Sequence, residues 1–245
     1  RSGWKLYYLC VAPAAEVVKF SMVLCEYDAD PAVFNDLFGG YMKVLIACEE
    51  SQAVCKEMRR LGHESYSADL QNCSGGHPEW HVKGDVLPLI NGRCSFTTCD
   101  GTRHEILDRW DILIAHPPCT FLTKAGALLM RVNGDIVPDR YAKALAARDF
   151  FLKFLSADCL HIAVENPVPL SIVGLPRYSQ LIQPFEFGDP YSKKTCLWLK
   201  GLPPLMGTVI CSDYVSYTAL HRSARIRSKT FPGIAAAMAE QWTRI

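Results

Sequence analysis

Two short stretches of the chain bring reactive side chains to the point where an apolar run stops. In residues 110–126, WDILIAHPPCTFLTKAG, the run 112–115 meets two prolines, and Cys119 stands directly after them. Neither Pro117 nor Pro118 has an N–H to donate, and each restricts the residue before it, so a strand must end there. In residues 160–167, LHIAVENP, a second apolar run ends in Glu165-Asn166-Pro167. In an open α/β sheet the carboxyl ends of the strands form the ligand crevice. A thiol at such an end is a candidate nucleophile.

The surrounding sequence supplies elements that would hold these ends in place. Residues 43–48, KVLIAC, read as a buried first strand. Residues 52–61 have helical spacing and stop at Gly62, a C-cap position. Residues 63–68 form a second strand that leads to Asp69, and a loop rich in Gly, Pro and His precedes Asp85-Val86. Residues 111–115 are a strand. Residues 141–156 are a long amphipathic helix with Leu145, Phe150, Phe151, Phe154 and Leu155 apolar. Residues 160–164 and 194–199 (KTCLWL) are further strands, and 232–242 is an alanine-rich helix. Strands alternating with helices predict an α/β fold with a Rossmann-like, doubly wound and mostly parallel sheet.

Composition sets outer bounds. With 245 residues, 49% of them hydrophobic, the chain can bury one substantial core. No apolar run reaches the roughly 18 to 20 residues that span a bilayer, so no membrane partner is expected. A net charge of +1 neither demands nor excludes nucleic acid. Eleven cysteines without a secretory signal read as reduced thiols in a cytoplasm. The spacing of Cys73, His77 and His81, with Cys94 and Cys99 downstream, matches none of the standard zinc patterns, and no metal is expected there.

The Cys after Pro-Pro and the ENP tripeptide, each at a strand end and in this order, resemble the catalytic motifs of DNA cytosine-5 methyltransferases. The resemblance runs from about Met42 to Trp242 and weakens after Leu199. It implies a sheet of the S-adenosylmethionine-dependent methyltransferase type, with S-adenosyl-L-methionine as cofactor and DNA as partner, either duplex with a flipped cytosine or single-stranded. It assigns Cys119 as nucleophile and Glu165 as the partner of ring nitrogen 3, held protonated or sharing its proton, with Asn166 and Pro167 shaping the turn. A positive environment is expected to assist the Cys119 thiolate. Where the family carries an arginine from Q-x-R-x-R, this chain has Lys193 and Lys194, which keep the charge but lose the planar fork. The cofactor falls to Glu49, Glu50 and Ser51 after the first strand, to Asp69 for the ribose and to Asp85 for the adenine. Pro117, and Ser228 and Thr230 in a closing loop, complete that set. The family's first motif is usually glycine-rich, whereas ACEESQAV has no glycine.

Two other readings stand beside this one. An amino methyltransferase acting on adenine or cytosine nitrogen would carry an Asp/Asn-Pro-Pro-aromatic loop; here His116 and Cys119 occupy the outer positions. A methyltransferase-like module that only binds nucleic acid would need neither Cys119 nor Glu165. The expected target-recognition region is very short, residues 200–227, with Tyr214, Tyr217, His221, Arg222, Arg225 and Arg227 as candidates for phosphate contact and stacking. Residues 71–81 and 126–140 could share that work. So compact a form suits a phage or prophage enzyme in a bacterial cytoplasm.

Residues 1–41 do not share the alternating pattern. Gly39-Gly40 before Tyr41-Met42 can be encoded as GGAGG ahead of an ATG, which makes Met42 the expected start and the earlier residues upstream sequence; the other reading is a genuine helix over about 14–24. A chain beginning at Met42 is expected to melt with the full-length chain. A much lower melting temperature would assign the earlier residues to the domain.

Overall fold

The computed structural model of the protein describes residues 40–123, 130–221 and 223–245. The helix anticipated over 14–24, part of the stretch 126–140, and Arg222 lie outside the described residues. Residues Tyr41–Ile245 form one compact unit.

The first strand, β1 (Lys43–Ala47), leads through helix α1 (Ala53–Arg60) into β2 (Glu64–Asp69). α1 ends where the sequence places its stop: Gly62, at φ 88°, takes the left-handed C′ position, and its N–H bonds the Arg59 carbonyl at 2.9 Å. Next come β3 (His81–Lys83), a hairpin of β4 (Cys94–Thr97) and β5 (Arg103–Ile106), and β6 (Ile112–Ala115). A small β7–β8 ribbon (Arg131–Val132, Asp135–Ile136) precedes helix α2 (Pro138–Leu155) and β9 (His161–Pro167). The last third contains β10 (Gln180–Ile182), β11 (Tyr191–Ser192), β12 (Thr195–Lys200), β13 (Val215–Ser216), two short helices α3 (Tyr217–Leu220) and α4 (Ala224–Arg227), and the terminal helix α5 (Pro232–Trp242).

Seven strands form one sheet in the order β10-β12-β9-β6-β1-β2-β3. Neighbouring strands from β3 to β9 run parallel, while β12 is antiparallel to both β9 and β10. The expected mostly parallel α/β sheet is therefore present, with β12 as the reversal. Alternate side chains of β1 enter opposite cores, as the two-residue period of a strand requires. Val44 and Ile46 join Met58 of α1 and Met238 and Trp242 of α5, while Leu45 and Ala47 join Phe151 and Phe154 of α2. Burial on both faces explains why these strands read as unbroken apolar runs.

Two expectations are corrected, and one element is new. Glu165-Asn166-Pro167 is not a turn after a strand; it is the last part of β9, paired with the start of β12 (Glu165 with Leu197, Asn166 with Cys196, Pro167 with Thr195). The β4–β5 hairpin, whose Phe96 packs edge-on against Tyr66, is an element for which the sequence pattern carries no expectation. The long helix begins earlier than expected, with Pro138 in its first turn, where the missing N–H costs nothing.

The strand order reverses between β1 and β6: the chain moves outward through β2 and β3, then returns to β6 and β9 on the other side of β1. A doubly wound sheet opens its crevice at this switch point. The turn leaving β1 is tight without any glycine, because Cys48 (φ 60°) and Gln52 (φ 57°) both take left-handed backbone, at a cost of about 1 kcal/mol or more each. Gln52 offsets part of that cost: its side-chain amide donates to the His77 carbonyl at 2.8 Å and accepts from the His77 N–H at 3.1 Å. This clamp ties the loop after β2 to the turn after β1. Gln52→Ala is expected to destabilise the fold by about 1 to 3 kcal/mol in urea unfolding. Unchanged stability would show that the clamp carries no weight.

Candidate active site

Along the carboxyl edge of the sheet, functional side chains follow the strand order. Asp69 ends β2; Cys48, Glu49, Glu50 and Ser51 follow β1; His116 to Cys119 follow β6; Glu165 sits near the end of β9; and Lys193 and Lys194 precede the antiparallel β12. Strands lie roughly 4.8 Å apart. The edge therefore runs from carboxylates on one side, through a thiol, to cations on the other. A cavity of about 1180 Å³ covers it. Glu49, Glu50, Ser51, Asp69, Cys119, Lys193, Lys194, Ser228 and Thr230, all anticipated from sequence, line its wall.

Register builds the central pair. In the parallel β6–β9 ladder Ala115 stands opposite Val164, so the next residues, His116 and Glu165, are neighbours. Their side chains are 7% and 14% exposed, and His116 Nδ1 lies 3.2 Å from Glu165 Oε2. Burial opposes a charged imidazole, but the hydrogen bond and charge of Glu165, joined by Glu49, outweigh it and raise the His116 pKa. Burial likewise opposes an ionised Glu165, but the His116 hydrogen bond and the Lys193 charge bring its pKa below the ordinary value. Both directions favour a proton on His116 and a carboxylate at Glu165, with the proton held between the two side chains.

Asn166 acts on the loop after β6 rather than on a turn of its own. Its buried side-chain amide donates to the Pro117 carbonyl at 2.7 Å, fixing the Pro-Pro segment that carries Cys119. Pro117 is itself buried and does not line the cavity, whereas Pro118 does. Cys119 faces the cavity with its pKa raised, first by burial and then by the charge of Glu165; Lys193 and Arg227 pull the other way without reversing the shift. The expected cations are thus in place and favour the thiolate, but burial and Glu165 outweigh them. Lys193 is anchored, donating to the Arg227 carbonyl at 2.7 Å. Lys194 is exposed.

On the acidic side, Glu49 behaves as a helix cap. Its two carboxylate oxygens accept the N–H groups of Val54 and Cys55 at 2.8 and 3.3 Å, in the first turn of α1 where a negative charge is favoured. Asp69 lines the cavity and uses Oδ1 on the Gln71 N–H at 2.8 Å. Asp85 is exposed and does not line the cavity. It still lies near Cys48, whose thiol is pushed up to about 12 by burial, Asp69 and Asp85.

The segment 200–227 is a wall and not a bare linker. β13 pairs with β11, Tyr214 stacks on Phe185 at 4.1 Å, and Tyr214, Arg225 and Arg227 reach the cavity. Beyond it, Lys229 Nζ donates to Ser74 Oγ at 3.0 Å, joining the closing loop to the loop after β2. Arg140 at the start of α2 also lines the cavity, its guanidinium 5.1 Å from the Phe121 ring centre.

The histidines considered for metal are otherwise engaged. His81 uses one ring nitrogen on Ser67 Oγ at 2.8 Å and the other on the Gln71 carbonyl at 2.9 Å. His77 pairs with Glu79 and stacks on Trp80. Among the described residues no group of three or more His, Cys, Asp or Glu is placed to hold a metal ion, and no helix is long and apolar enough to cross a membrane.

His116 is the functional residue that sequence reasoning passed over. The signal was present: His116 and Glu165 each directly follow an apolar run, and those runs pair in step. Breaking the pair exposes its electrostatics. The raised His116 pKa adds stability below the ordinary imidazole value of 6.5, lost as pH rises through the folded value. The lowered Glu165 pKa adds stability above the ordinary 4.5, lost as pH falls through the folded value. His116→Gln is therefore expected to destabilise the protein most between those two ordinary values, by about 3 kcal/mol. A pH-independent difference in melting would contradict an ion pair.

Compared with known proteins, the chain matches no protein-family model and no curated protein.

Proposed function

We propose that the protein methylates carbon 5 of cytosine in DNA, using S-adenosylmethionine, through a covalent adduct at Cys119, and that its sheet is of the S-adenosylmethionine-dependent methyltransferase type. The observation that carries this reading is that Cys119 and His116 line one cavity at the switch point of the sheet, with Glu165 buried behind them and paired to His116. Two further features support it. The acidic end of the cavity, with Asp69 and Glu50, suits the hydroxyls and positive charge of an adenosyl cofactor. The opposite end, with Arg140, Lys193, Lys194, Arg225 and Arg227, suits a phosphate backbone.

Carbon 5 of cytosine is a weak nucleophile. Cys119 gives its proton to water in the cavity, and the resulting thiolate attacks carbon 6, which opens the 5,6 double bond and makes carbon 5 electron-rich. The bound cofactor supplies an electrophilic methyl group on a positively charged sulfur. Negative charge gathering toward ring nitrogen 3 is met by a proton that leaves His116 Nδ1 and passes through Glu165, so the imidazole becomes neutral as the ring nitrogen gains the proton. Asn166 holds the Pro-Pro loop so that Cys119 keeps its place. Water takes the carbon 5 proton, the sulfur leaves as thiolate, and the nitrogen 3 proton returns through Glu165 to His116, which restores the aromatic ring and the resting pair. A duplex substrate would have its cytosine flipped into the cavity; a single strand would enter directly.

Trapping tests the covalent step. With an oligonucleotide carrying 5-fluorocytosine, fluorine cannot leave as the proton does, so the protein is expected to remain attached through Cys119 when cofactor is present. Cys119→Ser is expected to give no adduct, and Glu165→Gln to slow adduct formation by about a hundredfold or more. An adduct that persists in Cys119→Ser, read by mass spectrometry of the peptide, would remove Cys119 from its role.

A further inference from the structure

The wall contributed by residues 200–227 places an aromatic ring at the cavity. Tyr214 stands directly before β13, and its ring lies on that of Phe185, with centres 4.1 Å apart and planes 9° from parallel. The mount is stiff. Phe185 sits in a single-turn helix, Pro184–Phe187, closed by reciprocal hydrogen bonds between Gln183 and Glu186. Its carbonyl accepts the Cys211 N–H at 2.8 Å, and just beyond Tyr214 the Val215 N–H bonds the Pro190 carbonyl at 3.2 Å. Phe185 covers one face of the Tyr214 ring. The residue is nonetheless 48% exposed, and it lines the cavity that also holds Cys119. Arg225, exposed on α4, lines the same cavity from the same wall.

A half-exposed ring braced from behind is a surface on which an unstacked base can lie, and a cation in the same wall meets the strand's phosphate. Such stacking is open to any base, because each has a π-face, but not to any strand. In a duplex the neighbours of a flipped base stay stacked and paired within the helix. A ring in the cavity wall is therefore reached by a strand whose bases are free to turn in. Room is present, since about 1180 Å³ exceeds the roughly 300 to 1,000 Å³ of a pocket that encloses one small ligand. Resting on the methyl-transfer reading, we propose that the substrate is single-stranded DNA. A base next to the target cytosine stacks on Tyr214, with Arg225 for its phosphate.

Fluorescence anisotropy of labelled oligonucleotides on the full chain, with S-adenosylhomocysteine present, tests the platform. The probe is a strand with one cytosine, used alone or annealed to its complement. The single strand is expected to bind at least about tenfold more tightly than the duplex. An abasic linker in place of the 5′ or the 3′ neighbour should, at one of the two positions, weaken binding about five- to a hundredfold, the scale of one base–aromatic stack. Tyr214→Ala should lose the same factor on the intact strand and nothing further on that abasic one. Tyr214→Phe, which keeps the ring, should bind within about twofold of the unsubstituted protein. The abasic strands leave the protein untouched, so a misfolded Tyr214→Ala cannot imitate lost stacking. Equal or tighter binding of the duplex, no effect of either linker, or Tyr214→Phe binding as weakly as Tyr214→Ala would overturn the inference. Methyl transfer from labelled S-adenosylmethionine separates the two claims. 5-Methylcytosine formed in the duplex but not in the single strand would overturn this inference alone; label in another nucleoside of the single strand would overturn the carbon 5 reading alone.

Discussion

The hydrogen bond between His116 and Glu165 joins the ends of two adjacent parallel strands, and the rest of the site is arranged around it. It follows from register, since β6 and β9 pair in step and each places its first polar side chain one residue beyond the apolar run. A buried ion pair is weak evidence for stability, because removing both charges from water costs about as much as their attraction returns. Its chemical use is more specific. It keeps one proton beside a carboxylate, sheltered from solvent and adjacent to a thiol.

The thiol depends on the same pair in the opposite sense. An ionised Glu165 discourages ionisation of Cys119, and burial adds to this. Lys193 opposes both effects, and its position is set by its bond to the Arg227 carbonyl at the end of α4. The late part of the chain therefore does more than cover the cavity. Through Arg227 it sets cations near Cys119, and through Lys229 it latches residues 228–230 onto the loop after β2. Electrostatics along the sheet edge thus change sign from β2 to β12, which fits one elongated ligand on the acidic side and a phosphate-bearing one on the basic side.

Much of this architecture was legible because strands buried on both faces leave unbroken apolar runs and helix stops leave glycine. β1, α1, β6 and most of β9 were read on those grounds. The direction of β12 was not, since pairing direction depends on how the chain returns and not on local pattern. The β4–β5 hairpin was hidden because CSFT and RHEI are largely polar and bury little beyond Phe96 and Ile106. The ENP tripeptide resembled a turn, yet the antiparallel arrival of β12 gave its backbone partners and drew it into β9. Within the site, residue types pointed to the right edge but not to the division of labour. Glu49 and Glu50 are adjacent and identical in sequence, and only the position of the α1 N-terminus makes one a cap and leaves the other unpaired. His116 was weighed as a substitute in a loop pattern, when its partner lay on the next strand.

The claim that this crevice methylates a ring carbon is tested most directly by the product. Incubation with isotope-labelled S-adenosylmethionine and duplex or single-stranded DNA, followed by digestion and nucleoside analysis, reads the methylated atom. The account predicts label in 5-methylcytosine. Label in 4-methylcytosine or 6-methyladenine, formed at full rate by Cys119→Ser, would contradict it.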